Sequence, residues 1–194
     1  LLKHLQFAPM YFAALHELSE TVLAPENINP LLDNWLGGQF SAADIERAKL
    51  FLVARRDHIF NPADPLVPLG LAVVSELPVE NDYRTTSAAA TDLAGRSNAI
   101  RTRSVLVNGQ PATWTAWQAT WSAESVPLRP GVNRVLVQSL DEHGVEFERS
   151  YIDIFRNTGS MTNVAGALPA GETRWTVAAA PYHVTGPVTV PAGA

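Results

Sequence analysis

Apolar residues recur along the first third of this chain at the spacing of helices, and along its middle at the spacing of strands. Tyr11, Leu15, Leu18 and Val22 fall on one helical face, and Pro9 suits the first turn of that helix. Ala24-Pro25-Glu26-Asn27 interrupts the pattern, so the next helix is expected over Asn29 to Leu36, ended by Gly37-Gly38. Ser41-Ala-Ala-Asp44 resembles a capping box with Asp in place of Glu or Gln, and opens a third helix. Ile45, Ala48, Leu52 and Ile59 form its apolar face, and Asn61-Pro62 stops it. Three short helices bury too little surface to stand alone. They are expected to pack on the following domain or on something N-terminal to it.

The segment 61–68 contains three prolines and reads as a boundary, with a linker at 63–68. Residues 69–157 then read as β, with strands expected at 71–75, 84–92, 99–107, 111–117, 120–126, 133–140 and 146–155. Asn108-Gly109 is a hairpin turn signal, because both residues tolerate positive φ. Pro130-Gly131 and His143-Gly144 mark two further corners. About seven short strands at this spacing is the signature of an immunoglobulin-like sandwich. The fold class is therefore α+β in separate zones: a helical tail over 1–62, an all-β sandwich over 69–157, and a β-rich extension over 158–194. In that extension Asn157-Thr-Gly-Ser160 is a loop, and His183 to Val190 is a strand-like run that follows Trp175-Thr-Val177.

Composition narrows the function. A net charge of −5, without a run of Lys or Arg, argues against a nucleic-acid partner. No apolar stretch is long enough to span a membrane. The chain has no cysteine, which removes disulfides, thiol nucleophiles and Cys-ligated zinc. It begins Leu1-Leu-Lys-His4 with no signal peptide and ends at Pro191-Ala-Gly-Ala194, and it reads as a segment of a longer protein.

No catalytic, cofactor-binding or metal residue is assigned. The histidines at 4, 16, 58, 143 and 183 lack metal-ligand spacing, and Glu17 and Glu20 read as a solvated helix face. Asp82, Asp92 and Asp141 sit at turns, where a carboxylate commonly caps backbone rather than binding calcium. Neither a glycine-rich phosphate loop nor a Gly-x-Ser-x-Gly elbow is present. Trp114, Trp117 and Trp121 are the sharpest local feature. On one straight strand Trp117 and Trp121 would share a face and Trp114 would oppose them. Trp121 is expected in the core, while Trp117 and Trp114 are the candidates for a ligand surface that stacks on sugars.

Several stretches resemble known families. Met10-Tyr-Phe-Ala-Ala-Leu-His-Glu-Leu18, Ile28-Asn-Pro-Leu-Leu-Asp33 and Ile45 through Arg55-Arg-Asp-His-Ile59 resemble the helical C-terminal tail of the CotH kinase-like family. Leu93-Ala-Gly95, Val105-Leu-Val-Asn-Gly109, Trp114 to Trp121, Leu128-Arg-Pro-Gly-Val-Asn133 and Asp141-Glu-His-Gly144 resemble the immunoglobulin-like module that follows such kinases in bacterial surface proteins. Residues 172–193 are similar to the start of a right-handed parallel β-helix. The resemblance implies an extracellular or cell-surface, non-catalytic accessory or spacer segment. Its partners would be flanking domains of the same chain, a polysaccharide or a cell-surface protein. The alternatives are a carbohydrate-binding module of a polysaccharide-acting enzyme, and a brace for an active kinase whose motifs lie upstream. None of the kinase family's ATP-site motifs is in this sequence, so no catalytic residue carries over.

Overall fold

A computed structural model describes residues 3–61, 63–80, 82–159, 162–176, 179 and 181–192. Of the positions singled out above, Leu1, Leu2, Pro62, Ser160, Val177, Gly193 and Ala194 lie outside them. Three helices come first and a strand-rich region follows: α1 (Phe7–Glu20), α2 (Pro25–Leu36) and α3 (Ala42–Ile59) precede β1 (Ala72–Val74). The second helix starts four residues before the expected Asn29, because Pro25 opens it rather than blocking it. At the first helical position a missing N–H removes nothing the helix needs. Ser41 caps α3 by accepting from the Asp44 N–H at 3.2 Å. Lys49 ties α3 back to Asp33 of α2 at 2.8 Å.

Two sheets build the sandwich. One has the order β1-β4-β8-β7, where β4 is Ala90–Arg96, β7 is Thr113–Thr115 and β8 is Thr120–Pro127. The other runs β2-β3-β10-β9-β5-β6, with β2 at Val79–Glu80, β3 at Tyr83–Thr86, β5 at Ser104–Val107 and β6 at Gln110–Pro111. Its long strands are β9 (Gly131–Leu140) and β10 (Glu146–Arg156). Leu93, Trp121 and Val126 from the first sheet meet Val105, Val107, Val135, Val137, Ile152 and Ile154 from the second in one buried cluster. Alternation places these side chains inward, as a half-buried strand requires.

Three strand expectations change. The expected 84–92 strand is two strands in different sheets, β3 pairing parallel with β10 and β4 pairing antiparallel with β8. The expected 99–107 strand begins only at Ser104, since Asn98 Oδ1 accepts from the N–H groups of Ile100 and Arg101 and folds that stretch into a turn. The expected 111–117 strand is likewise divided between the sheets: Pro111 ends β6, which pairs with β5, and Thr113–Thr115 forms β7, which pairs with β8. A buried hydroxyl cluster joins the two sheets: Ser97 Oγ lies 2.8 Å from Thr102 Oγ1 and 2.6 Å from Ser139 Oγ. All three residues are fully buried.

The helices join the sandwich through a second apolar cluster. Ala8 and Phe12 of α1 and Ile59 of α3 pack with Val67, Ala99, Ala116 and Ala119. The proline-rich stretch is held in this contact: Val67 is buried, and the Ala99 N–H donates to the Pro68 carbonyl at 2.8 Å. Beyond the sandwich, β11 (Thr162–Ala167) and β12 (Tyr182–Thr189) form a separate parallel pair in which Thr162 faces Tyr182. Trp175 stacks on Tyr182 with ring centroids 4.9 Å apart. Among the described residues no helix is long and apolar enough to cross a membrane.

Candidate functional site

The tryptophan-rich stretch is a hairpin, not one straight strand. After Thr115 the chain turns through Ala116-Trp-Gln-Ala119, closed by the Gln118 N–H donating to the Thr115 carbonyl at 3.1 Å. Ala119 takes positive φ of 53°, and it and Ala116 are buried beneath the turn. The hairpin makes Trp114 and Trp121 direct cross-strand partners. They therefore share a face, which reverses the straight-strand placement of Trp114. Trp121 is 2 % exposed, and its Nε1–H donates to the Arg96 carbonyl at 3.2 Å. Trp114 is half-buried and packs against both apolar clusters. Its Nε1–H has no acceptor among the described residues. Trp117 stands at the hairpin tip and is 40 % exposed.

That tip forms one wall of a cleft of about 500 Å³ between α1, the end of α3 and the sandwich. Tyr11 and Phe12 of α1 and Leu66 supply further apolar lining, and His58 lies at the α3 end. The polar lining includes Asp64, Arg96, Gln118 and Thr120. Asp64 and Arg96 form an ion pair. Arg96 also reaches the Pro65 carbonyl at 3.4 Å. Lys3 places its ammonium 5.1 Å from the centre of the Trp117 ring, within cation–π range. Of the two candidate ligand-surface residues, Trp117 lines this cleft and Trp114 is drawn into the packing beneath the hairpin.

No protein-family model matches the chain, and no curated protein matches it.

The motif residues of the β region act on backbone. Asn108 accepts from the Leu136 N–H at 2.9 Å and takes the positive φ its turn needs. Asn133 accepts from the Arg129 N–H at 2.8 Å and donates to the Arg129 and Gly131 carbonyls, which latches the Pro130-Gly131 corner. Asp141 accepts from the N–H groups of His143 and Val145 at 2.9 and 3.0 Å. The Val145 bond first, and the His143 bond after it, hold its carboxyl below the usual carboxylate range. Asp92 accepts from the N–H of Ser125, which takes positive φ at an irregularity in the β4–β8 pairing. Asp82 is an exposed turn residue with φ of 66°.

Among the described residues no three His, Asp or Glu side chains converge as a metal site would require. His16 contacts Glu20 at 3.5 Å on α1, and Glu17 is exposed on the same helix. His143 neighbours Glu142 at 3.6 Å on an exposed turn, and His183 is exposed on β12. Sequence spacing did not single out Tyr11, Asp64, Arg96 and Gln118 as a group. They are brought together only by the packing of α1 on the hairpin, and each is unremarkable within its own segment.

Proposed function

We propose that this chain is a non-catalytic accessory segment of a large exported bacterial protein resembling the CotH kinase-like family. In this reading the sandwich is an immunoglobulin-like spacer, and the helices couple it to a neighbouring domain. The observation that carries the proposal is the apolar surface on the helices. Trp35 on α2 is 64 % exposed, and Leu50 and Phe51 on α3 are 67 % and 65 % exposed. The second helix has no buried residue. Large side chains left open in this number mark a surface that another body covers. Other residues of the helical unit are already used, since Ala8 and Phe12 of α1 and Ile59 of α3 pack on the sandwich. A packed joint to the sandwich and exposed apolar side chains on α2 and α3 suit a spacer that transmits position between domains. The parallel pairing of β11 with β12 supports the expected parallel β-helix, whose successive coils pair in this way. The β-region motifs, whose polar side chains latch backbone at the corners, support a structural role.

The test compares the chain alone with the full-length protein by differential scanning calorimetry. The variant is Leu50→Ser with Phe51→Ser. Both positions are exposed in the chain, so its own unfolding should shift by no more than about 1 kcal/mol, mostly from helix propensity. In the full-length protein the same pair should separate the unfolding of this segment from that of its neighbour. Equal, small effects in both contexts would refute the coupling. Incubation of the chain with ATP and magnesium should give no phosphate transfer, and transfer by the chain itself would refute the non-catalytic reading.

A further inference from the structure

We propose that the cleft between α1 and the β7–β8 hairpin is a binding site for a neutral sugar residue of a polysaccharide. The proposal names a ligand for the accessory segment and does not require its helices to dock on a neighbour. It begins with the form of the cleft. A volume of about 500 Å³ lies within the range of small-molecule sites. Its walls combine flat apolar surfaces with a few polar groups, which is how such sites both hold and orient a ligand.

The chemistry of the lining selects the ligand class. Trp117 and Tyr11 keep 40 % and 45 % of their surface open; the Lys3 ammonium lies over one face of Trp117, so a ligand meets the remaining surface of that ring and the Tyr11 ring. A pyranose ring has an apolar face of C–H groups and a rim of hydroxyls. The C–H face matches an aromatic ring, and the hydroxyls need mixed donors and acceptors. Asp64 supplies acceptors, Arg96 donors, and Gln118 and Thr120 both. The Gln118 amide makes no hydrogen bond to another described residue, so its groups are free to serve a ligand.

Charge pairing favours a neutral ligand. Asp64 and Arg96 pair with each other, so neither stands in the lining as an uncompensated charge for a phosphate or an acidic sugar; Lys3 is a cation beside Trp117, and comparison with an anionic polymer tests whether it draws one. The same pair removes the uncompensated carboxylate that a cationic ligand would seek, and Lys3 already lies over the Trp117 ring. A neutral polyol gives up only hydroxyl hydration in such a site and regains hydrogen bonds from charged groups, which bind more strongly than neutral ones.

The walls are also held in place before any ligand arrives. Trp117 is carried on a turn anchored by buried Ala116 and Ala119. The backbone of Arg96 is fixed from below by the Trp121 indole, and Arg96 pairs in register with Thr120. Groups placed in advance lower the entropy cost of binding.

The experiment is affinity electrophoresis of the whole chain in gels containing neutral xylan, mannan, mixed-linkage β-glucan or starch, with alginate as an anionic comparison. Isothermal titration follows for any polymer that retards the chain. At least one neutral polymer should retard it, and binding should persist at high salt. Trp117→Ala and Gln118→Ala should each weaken that binding by about tenfold or more, as loss of a central contact does. Both side chains are exposed, so circular dichroism should show the variants folded. Trp35→Ala, which removes an exposed indole outside the lining, should leave binding unchanged. The proposal is overturned if no neutral polymer retards the chain. It is equally overturned if retardation survives both cleft variants, or if only alginate binds and salt abolishes it. None of these outcomes bears on the calorimetric coupling of the helices, so the two proposals fail separately.

Discussion

Replacing Trp121 with Ala tests the core of the sandwich most directly. The side chain is 2 % exposed, so nearly all its surface leaves water on folding. A large aromatic buries about 150–250 Å², which at about 25 cal/mol per Å² is worth about 4–6 kcal/mol. Mutational experience with buried aromatics gives about 3–5 kcal/mol, because the site partly collapses. Here Trp114 lies directly across the β7–β8 pair and can lean into the space, which favours the lower half. Losing the indole N–H also leaves the Arg96 carbonyl without this donor, at a cost of about 1 kcal/mol. The expected loss is about 4 kcal/mol. For a cooperative unit of this size that lowers Tm by about 8–16 °C. The assay is thermal unfolding followed by far-ultraviolet circular dichroism. Trp117→Ala is the internal control. It is 40 % exposed at a turn, and its loss should cost under about 1 kcal/mol. Trp121→Phe keeps an aromatic body without the N–H and should fall between the two. The reasoning is refuted if Trp121→Ala lowers Tm by less than about 4 °C, or if Trp117→Ala lowers it as far.

Gly95→Ala should be severely destabilising although it adds one methyl group, because the new Cβ would lie 2.0 Å from the Ala72 carbonyl oxygen and 2.8 Å from the Trp121 ring. The expected outcome is loss of the β1–β4 pairing, read as rapid exchange of the amide protons in Ala72–Val74 that face β4; retained protection there would contradict it. Ser97→Ala removes the hydroxyl shared by Thr102 and Ser139 in a fully buried site, and should cost about 1–3 kcal/mol in urea unfolding. A neutral result would show that the two remaining hydroxyls find other partners. Asp153 is held below the ordinary aspartate value of 3.8 by its hydrogen bonds to Arg134 and by the charge of that guanidinium. A carboxyl lowered in the folded state stabilises above its unfolded value, and that contribution fades as pH falls through its folded value. Stability should therefore decline below about pH 4, and Asp153→Asn should flatten this decline; an unchanged acid limb would refute the role of the pair. The pair is partly exposed, so the effect should be small and sensitive to salt.

Much of the fold is legible in residues close together in the chain. Asn108-Gly109 and Pro130-Gly131 announce their turns, because the backbone there needs residues that accept positive φ or fix a corner. Alternation in 133–140 marks Val135 and Val137 as inward, and both are buried. Ser41 and Asp44 announce the start of α3. The burial of Trp121 agrees with the core position expected of a large aromatic on the strand that leads to the Pro127-Leu128 corner. These signals are local, since a turn or a periodic face depends on neighbours a few residues away.

Other features were decided only by tertiary structure. Nothing within 84–92 says that Thr86 ends a strand of one sheet and Ala90 begins a strand of the other, because that division depends on β10 and β8, distant in sequence. The spacing of Trp114, Trp117 and Trp121 is compatible with a straight strand or a hairpin; burial of Ala116 and Ala119 against α1 and α3 selects the hairpin and turns Trp117 outward. The cleft has no sequence signature at all. Tyr11, Asp64, Arg96 and Gln118 come from four separate segments, and meet because α1 buries Ala8 and Phe12 against the sandwich. Local chemistry determined the elements and their corners. Long-range burial of apolar surface, which periodicity cannot encode, decided their partners and the site between them.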